Sequence, residues 1–461
     1  MISGNLRAWQ TDCIETAIQR YDHDSHFFCQ ATPGAGKTIM AASLAARLFD
    51  QGKIDLVLCF APSCQVVESI ERTFTQVLGR RMDGLIGAVG AVCTYQGMEY
   101  RGEGFWQMLT DFRVLAVFDE IHHCAGYNPI LSNAWGQQIL QRVQDKAAYT
   151  IALSGTPWRS DREAIVLARY SDPEGRVICD YRYGLRKAIQ DNVCRSPRIV
   201  LLDNTSLKLT EEHEDETTIR FFSSIESLLE QSSISYENLL MNENALAKLL
   251  TLASEKLSEI REIKSNAGGL IVASSIAHAQ QISITLKLLG ETCVVVTNRT
   301  LNAHRLIDKF RTSCERWIVA VGMISEGTDI PRLQVCCHLS RIRTELHFRQ
   351  VLGRILRRTG DNDEQAWLFT LAEPALIDFS QRVSEDLPED LAVVSFTETD
   401  SSLIITATDL DTYIDGQTEC CIESLERESP VREFRWPEGN SSSSCEISFS
   451  NNYRAEVLAM Y

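Results

Sequence analysis

The sequence lacks the spacings and runs that define several protein classes. Its 15 cysteines form no CxxC pair, the spacing typical of zinc sites and redox motifs, so we expect reduced, mostly buried thiols and no zinc site. No apolar run approaches the ~18 residues that a membrane-spanning helix needs. The first residues, Met1–Gln10, lack the basic and apolar regions of a secretion signal. These absences predict a cytoplasmic protein that does not associate with a membrane.

Positive charge is also scarce. The 45 Lys and Arg residues face 62 Asp and Glu residues, a net charge of −17, which argues against a protein that coats nucleic acid nonspecifically. Most of the excess of acidic residues lies near the end of the sequence, because residues 386–461 contain 16 acidic and four basic residues. A second acidic cluster occupies residues 211–216. The rest of the chain is close to neutral, so the total charge does not exclude nucleic-acid binding.

Apolar runs alternate with helical stretches in two parts of the chain. The runs are Phe27–Ala31, Leu56–Ala61, Leu115–Phe118 and Thr150–Leu153 in the first part, and Leu270–Ala273, Val294–Thr297, Trp317–Val321, Val335–Leu339 and Ala366–Leu371 in the second. This alternation is typical of parallel sheets covered by helices on both faces. We therefore predict an α/β protein with a first domain over residues 1–202, an acidic, partly helical connector over 203–239, a second domain over 240–385, and a small acidic, β-containing appendage over 386–461.

A glycine-containing turn follows the first apolar run. The turn comprises Thr32, Pro33, Gly34, Ala35 and Gly36, and Lys37 and Thr38 begin the helical stretch after it. In such a turn the backbone N–H groups can point at phosphate oxygens, the lysine can reach the β- and γ-phosphates, and the hydroxyl can bind Mg²⁺. The alternative is an ordinary strand–helix turn; a strand before it and a helix after it favour a phosphate loop.

Two carboxylates follow the run Leu115–Phe118. Asp119 and Glu120 would lie at the carboxyl end of a parallel strand, where open α/β sheets bind ligands. Asp119 can then hold Mg²⁺, and Glu120 can orient and deprotonate a water molecule. Capping of a following helix is the alternative for such a pair, but the upstream phosphate loop favours catalysis. We expect His122 to link this site to the loop Leu153–Pro157.

An arginine-rich helical segment occurs in the second part of the chain. Arg354 and Arg357 lie three residues apart, on one face of this helix. A solvated helix face is one interpretation. If both side chains are presented to a γ-phosphate, they would instead stabilise the charge that develops during phosphoryl transfer.

Taken in order, these segments resemble the superfamily 2 helicases and translocases of the DEAD/DEAH type. The resemblance covers residues 5–372. The matching segments are Leu6–Gln10 (Q motif), Ala31–Thr38 (motif I), Asp119–His122 (motif II), Ser154–Pro157 (motif III), Ser325–Asp329 (motif V) and Gln350–Arg357 (motif VI). The segments SGTPWR and SEGTDIP look most like the helicase subunits of type I and III restriction enzymes and related repair translocases.

The resemblance implies two RecA-like domains that bind ATP and Mg²⁺ in the cleft between them. It places Gln10 at the adenine base, and it adds Arg7, Gly327 and Asp329 to the nucleotide site. The catalytic set that it implies is Lys37, Glu120, Gln350, Arg354 and Arg357, with Thr38 and Asp119 as the metal ligands. Gln350 would help to place the attacking water.

The resemblance also implies a nucleic-acid partner. Duplex or branched DNA is favoured over RNA, because RNA helicases of the DEAD type usually have Ser-Ala-Thr in motif III, where this chain has Ser-Gly-Thr. Contacts with the nucleic-acid backbone are expected from Pro62, Ser63, Thr94 and Ser274, since hydroxyl and N–H groups can bind phosphates without adding charge. For each of these residues an ordinary turn position is the alternative.

The expected function is that of an ATP-dependent DNA helicase or duplex DNA translocase, for example the motor of a repair, restriction or defence system. One alternative is a nucleic-acid-stimulated ATPase switch in a larger assembly that does not unwind its substrate, and another is an RNA helicase. Residues 386–461 are expected to be a solvated appendage, or to dock a basic protein partner or cover the DNA track.

Overall fold

The computed structural model describes residues 6–126, 132–159, 163–171, 177–213, 216–322, 324, 328, 330–360, 363–385, 391–399 and 444–460. The chain forms two compact units. The first contains the residues up to Arg195 together with the segments 326–329 and 356–360, and the second contains the rest.

A six-stranded parallel sheet forms the centre of the first unit. The strands of this unit are β1 (His26–Ala31), β2 (Leu56–Ala61), β3 (Gly90–Thr94), β4 (Val114–Asp119), β5 (Tyr149–Ser154), β6 (Arg169–Tyr170), β7 (Val177–Ile178) and β8 (Tyr181–Tyr183). The order in the large sheet is β3-β2-β4-β5-β1-β8, and β6 and β7 form a separate antiparallel pair. The helices are α1 (Ala8–Arg20), α2 (Lys37–Asp50), α3 (Cys64–Leu78), α4 (Glu103–Asp111), α5 (Ala134–Gln138) and α6 (Leu185–Gln190), with short 3₁₀ segments at Gln96–Tyr100 and Ile121–His123 and a π-helical turn at Ile139–Val143.

The central strands are apolar along their whole length because both faces of the sheet are covered. Every residue of β4 is buried, and the rings of Phe60 and Phe118 stack in the core with their centroids 5.2 Å apart. The four apolar runs predicted in this part of the sequence all form strands of the sheet, which confirms the predicted α/β class.

The second unit contains an eight-stranded sheet and a three-stranded sheet. Its strands are β9 (Ser196–Asn204), β10 (Leu207–His213), β11 (Glu216–Phe222), β12 (Gly268–Ala273), β13 (Cys293–Thr297), β14 (Trp317–Val321), β15 (Leu333–Leu339), β16 (Gln365–Leu371), β17 (Leu391–Thr399), β18 (Ser444–Phe449) and β19 (Tyr453–Met460). The large sheet has the order β13-β14-β12-β15-β16-β9-β19-β17 and the small one β11-β10-β18. The helices are α7 (Ile225–Gln231), α8 (Tyr236–Leu240), α9 (Glu243–Ile263), α10 (Ile276–Leu288), α11 (Ala303–Thr312), α12 (Glu345–Gly353) and α13 (Pro374–Glu385).

The boundaries differ from those expected from the sequence. The first domain was expected to end at residue 202, but β9 pairs in parallel with β16 and therefore belongs to the second sheet. Residues 203–239, expected to be a connector, form β10, β11, α7 and α8 of the second unit. Such pairings join segments far apart in the chain, which local composition does not reveal.

The C-terminal region differs in the same way. β19 pairs antiparallel with β9 and β17, and β18 pairs with β10. The described parts of residues 386–461 are therefore strands of the second unit and not a separate appendage. Residues 386–390, 400–443 and 461 of the predicted appendage lie outside the described residues. Within the ranges that are described, we find no helix with the length and hydropathy that crossing a bilayer requires.

Candidate nucleotide site and nucleic-acid contacts

The phosphate loop joins β1 to α2 through two glycines with left-handed backbones. Gly34 has a φ of 83° and Gly36 a φ of 94°, and Gly36 is the N-cap of α2. A side chain is strained at such φ values. A Cβ atom at Gly36 would also lie 2.9 Å from Gln10 Nε2, and one at Gly34 would lie 3.0 Å from Arg357 Cγ. The sequence thus needs glycine at both positions for conformation and for space.

Lys37 and Glu120 form the charged centre of the site. Lys37 Nζ lies 3.1 Å from Glu120 Oε1 and donates a hydrogen bond to the carbonyl oxygen of Ala31 at 3.2 Å. Burial opposes ionisation of Glu120, but the adjacent Lys37 ammonium outweighs it and lowers the pKa of Glu120 below its usual range. Glu120 is therefore a carboxylate at neutral pH, as a proton acceptor must be.

Asp119 is the last residue of β4 and is only 9% exposed. Burial and the adjacent charge of Glu120 raise the pKa of Asp119 above its usual range. The Tyr95 hydroxyl donates to the Asp119 carbonyl oxygen at 2.8 Å and holds the end of the strand. Two adjacent carboxylates, one of them buried, suit a divalent cation because its charge offsets their repulsion and the cost of burial. The donor set of Asp119 and the Thr38 hydroxyl therefore fits Mg²⁺.

His122 connects motif II to motif III, as expected. Its Nδ1 atom lies 2.9 Å from Ser154 Oγ and 3.4 Å from Glu120 Oε2. Ser154 Oγ also accepts a hydrogen bond from the Thr156 backbone N–H at 3.1 Å. Arg159 donates to the His122 carbonyl oxygen at 2.6 Å. The predicted link between the two loops is confirmed, whereas the Arg159 contact was not anticipated.

Arg7 and Gln10 hold the phosphate loop from the start of α1. Arg7 Nη1 donates to the Ala35 carbonyl oxygen at 2.6 Å, and Gln10 Nε2 donates to the Gly36 carbonyl oxygen at 3.0 Å. Gln10 Oε1 accepts from the Arg7 backbone N–H at 2.9 Å. Both residues thus contact the backbone of the loop, and contact with the adenine base stays a prediction.

Of the three catalytic residues predicted in motif VI, Arg357 belongs to the first unit, and Gln350 and Arg354 belong to the second. The segment around Arg357 packs with the first unit: Arg357 pairs with Cys194 in an antiparallel bridge, and its side chain lies against Gly34. Gln350 lies in α12 and Arg354 follows it directly, both in the second unit. Their roles stay predictions. Gly327 and Asp329 lie outside the described residues.

The four predicted nucleic-acid contacts lie at the carboxyl ends of strands or directly after them. Pro62 and Ser63 follow β2, and the Ser63 hydroxyl accepts from the Val66 N–H at 3.5 Å as the cap of α3. Thr94 Oγ1 accepts from the Gly97 N–H at 3.0 Å. In the second unit, Ser274 Oγ lies 2.9 Å from His278 Nδ1. Each hydroxyl has a local structural partner, which is the alternative interpretation, and their contact with nucleic acid stays a prediction.

Several residues of the site could not be found from the sequence. They are Tyr95, Arg159, Tyr183 and Cys194. The rings of Tyr183 and Trp9 stack with their centroids 4.7 Å apart, and Cys194 Sγ donates to the Pro33 carbonyl oxygen at 3.6 Å. None lies in a recognisable phosphate-binding or carboxylate motif. The only local signal is the nearness of Tyr95 and Arg159 to segments already assigned to nucleic-acid contact and to motif III.

The first third of the chain is similar to a known family. Residues 3–159 match the family "Type III restriction enzyme, res subunit". A fragment structure assigned as an HsdR subunit of a type I restriction enzyme from Vibrio vulnificus has the same fold, with a TM-score of 0.56, 16% identity, and coverage of 83% of this chain and 67% of that one. The predicted resemblance to superfamily 2 helicases and translocases, and the tandem RecA-like fold, are confirmed.

Individual relatives extend over most of the chain. An uncharacterized protein of Mycobacterium tuberculosis is 29% identical over 390 residues, which are 81% of this chain and 62% of the relative. A protein of Sulfurisphaera tokodaii named DNA 3′-5′ translocase XPB2 is 26% identical over 410 residues, 81% of this chain and 83% of the relative. The chain thus matches 62% of the length of the mycobacterial relative. Its sequence is similar to that of restriction-enzyme res subunits and of a DNA translocase, and its fold is that of the type I restriction fragment.

Proposed function

We propose that the protein is an ATP-driven motor that moves along, or unwinds, duplex or branched DNA. The observation that carries the proposal is the ion pair between Lys37 Nζ and Glu120 Oε1 at 3.1 Å. Asp119 precedes Glu120 in the chain, and Lys37 follows a phosphate loop with two left-handed glycines. This arrangement combines a phosphate-binding cation, a carboxylate that stays ionised and a metal-binding carboxylate at one edge of a parallel sheet.

Each residue has a step in the proposed hydrolysis of ATP. The N–H groups of the phosphate loop and Lys37 bind the β- and γ-phosphates. Thr38 and Asp119 would hold Mg²⁺, which when bound would supply positive charge against the phosphates. Glu120 accepts the proton of the attacking water at a carboxylate oxygen. Arg357, against Gly34, stabilises the charge on the transferred phosphoryl group.

The hydrogen bonds of His122 provide a route from hydrolysis to movement. Because His122 contacts both Glu120 and Ser154, a change at the γ-phosphate that moves Glu120 also disturbs the motif III loop. DNA as the partner is supported by the Ser-Gly-Thr form of motif III and by the similarity to a protein named a DNA translocase. An RNA helicase or a nonmoving ATPase switch would be a different outcome of the tests below.

Replacement of Glu120 by Gln tests the chemistry. The amide cannot accept the proton of water, so Glu120→Gln is expected to lower ATP hydrolysis by about 10²-fold or more while ATP binding is kept. The control is Glu103→Gln, which removes an exposed partner of Arg142 and should leave hydrolysis unchanged. Normal hydrolysis by Glu120→Gln would reject the catalytic assignment.

Displacement of a third strand tests movement. A translocating motor should release the third strand of a DNA triplex in the presence of ATP, and separation of the two duplex strands in a fork would identify a helicase. Release that does not depend on ATP, or no release of either kind despite DNA-stimulated hydrolysis, would favour the ATPase switch.

A further inference from the structure

The backbone of Tyr95 connects two strand ends of the first unit that we predict to contact nucleic acid. Tyr95 directly follows Thr94, the last residue of β3. Its backbone N–H donates to the carbonyl oxygen of Ala61 at 2.9 Å. Ala61 is the last residue of β2 and precedes Pro62 and Ser63. Because this hydrogen bond joins the two strand ends, a displacement of either one acts on the backbone of Tyr95.

The side chain of Tyr95 is buried and extends to the end of a third strand. None of its surface is exposed (0%), and its ring stacks on that of Trp135 with the centroids 5.7 Å apart. The hydroxyl donates to the carbonyl oxygen of Asp119, the last residue of β4, at 2.8 Å. A closely packed ring has little freedom to change its rotamer. The hydroxyl therefore follows any movement of the Tyr95 backbone.

The hydrogen bond of Tyr95 acts on the peptide group that joins the two carboxylate residues. The carbonyl of Asp119 is part of the peptide bond to Glu120, and Glu120 has a φ of 49° and a ψ of 53°. This left-handed conformation is strained for a residue other than glycine, and surrounding contacts must hold it. Since the peptide plane fixes where the next side chain points, a small rotation of this peptide changes the direction of the Glu120 carboxylate.

We propose that Tyr95 is a positioning residue through which nucleic acid bound at the ends of β2 and β3 accelerates ATP hydrolysis. The inference rests on the proposed function, in which Glu120 accepts the proton of the attacking water. A phosphate backbone bound at Ser63 or Thr94 shifts these strand ends, and Tyr95 transmits the shift to the peptide between Asp119 and Glu120. The Glu120 carboxylate is then directed at the water, and correct orientation of a reacting group is a large part of catalysis.

Removal of the Tyr95 hydroxyl tests this connection. Tyr95→Phe keeps the ring that stacks on Trp135 and loses only the hydrogen bond to Asp119. We would measure ATP hydrolysis by the full chain over a range of duplex DNA concentrations. The ratio of the rates at saturating DNA and without DNA should fall about fivefold, the effect of one lost hydrogen bond. The DNA concentration that gives half of the stimulation should stay within about twofold of the wild-type value, because the nucleic-acid contacts are kept.

Tyr21→Phe is the matched control. The Tyr21 hydroxyl donates to the carbonyl oxygen of Thr150 at 3.0 Å, and Tyr21 is only 6% exposed. Tyr21 is thus also a buried tyrosine bound to a strand of the same sheet, but Thr150 lies near the amino end of β5. Both variants lose one buried hydrogen bond, so their thermal unfolding midpoints should fall by similar amounts. Tyr21→Phe should keep the wild-type stimulation ratio.

Hydrogen exchange of the wild-type protein provides a second measurement that does not depend on the folding of a variant. Duplex DNA added without ATP should slow amide exchange in residues 119–124, because the peptide between Asp119 and Glu120 becomes more firmly held. Exchange at the amino end of β5 should not change.

The outcomes distinguish this inference from the proposed function. If duplex DNA stimulates the wild type but Tyr95→Phe keeps the full ratio, or if DNA leaves exchange in residues 119–124 unchanged, Tyr95 has a structural role alone and the inference is wrong. If no DNA stimulates the wild type, the proposed function fails and the inference with it. A fall of the ratio in Tyr95→Phe alone, together with slower exchange around Glu120 in the wild type, would support the inference.

Discussion

At the scale of single residues, the contact between the phosphate loop and Arg357 can be tested against a matched control. Gly34 has a φ of 83° and faces Arg357, whereas Gly87 has a φ of 85° and has no atom within 4 Å of its Cβ position. Both substitutions to Ala incur the left-handed strain of about 1–2 kcal/mol. Only Gly34→Ala also crowds Arg357, so it should destabilise the protein by about 1 kcal/mol more and weaken ATP binding.

Urea unfolding and ATP titration of the two variants provide the comparison. Because Gly87→Ala shares the strain and lacks the crowding, the difference between the variants isolates the Arg357 contact. Equal losses of stability and unchanged ATP binding in Gly34→Ala would show that Arg357 does not pack against the loop in solution.

His26 gives stability a dependence on pH. Burial lowers its pKa to about 4, against the opposing effects of Asp180 and Asp24, and its Nδ1 lies 2.6 Å from Thr150 Oγ1. Since the unfolded chain binds the proton with a pKa of about 6.5, stability is full above pH 6.5 and falls as the pH drops towards 4, by up to about 3 kcal/mol.

The His26→Gln variant tests this origin of the pH dependence. Glutamine cannot take up the proton, so the fall in unfolding free energy between pH 6.5 and 4 should be smaller than in the wild type. Identical slopes for both proteins, measured by urea unfolding at a series of pH values, would exclude His26 as a source.

Residues of the nucleotide site were predictable where chemistry is local in sequence. Asp119 and Glu120 lie at the end of a buried strand, Lys37 begins the helix after the phosphate loop, and each belongs to a short motif whose residue types have a direct chemical reason. The packing of Arg357 against Gly34 and the Tyr95 hydrogen bond join distant segments, and no local pattern specifies such partners. Gln10 was predictable in part. Its motif was recognised in the sequence, but its hydrogen bond to the Gly36 carbonyl oxygen was not predicted.

At the scale of elements, the last strand is a structural part of the second unit. β19 lies between β9 and β17, and Ile199 and Leu201 on β9 are buried. Removal of residues 444–461 uncovers an edge of β9 and should lower the unfolding midpoint by about 10 °C. Arg454→Ala, which removes only a partly exposed ion pair with Asp203 at 3.5 Å, should have little effect.

The measurement is the thermal unfolding midpoint of the chain that lacks residues 444–461, compared with those of Arg454→Ala and of the wild type. An unchanged midpoint after truncation would mean that β19 does not support the sheet. Deletion of all residues from 386 onward would remove β17, β18 and β19 together, so a change in DNA affinity after that deletion would not by itself identify an acidic regulator.

The elements themselves were predicted unevenly for a physical reason. Fully buried parallel strands such as β4, β12 and β15 read as continuous apolar runs and were found. β8 has three residues, Tyr181–Tyr183, and β10 and β11 carry acidic and hydroxyl side chains. Their strand character comes from neighbouring strands, and sequence pattern alone cannot supply those neighbours.

At the scale of the whole molecule, two acidic segments that are far apart in the sequence meet in one small sheet. β10, which contains Glu211 and Glu212, pairs with β18, where Thr210 lies opposite Glu446. Along the chain, the residues outside 211–216 and 386–461 are close to neutral.

The most direct test of the account is the rate of ATP hydrolysis by the full chain with and without duplex, forked and single-stranded DNA, and with RNA. The account predicts Mg²⁺-dependent hydrolysis that duplex or forked DNA stimulates well above the rate without nucleic acid, and that Glu120→Gln abolishes. Hydrolysis that no DNA stimulates, or that RNA alone stimulates, would contradict it.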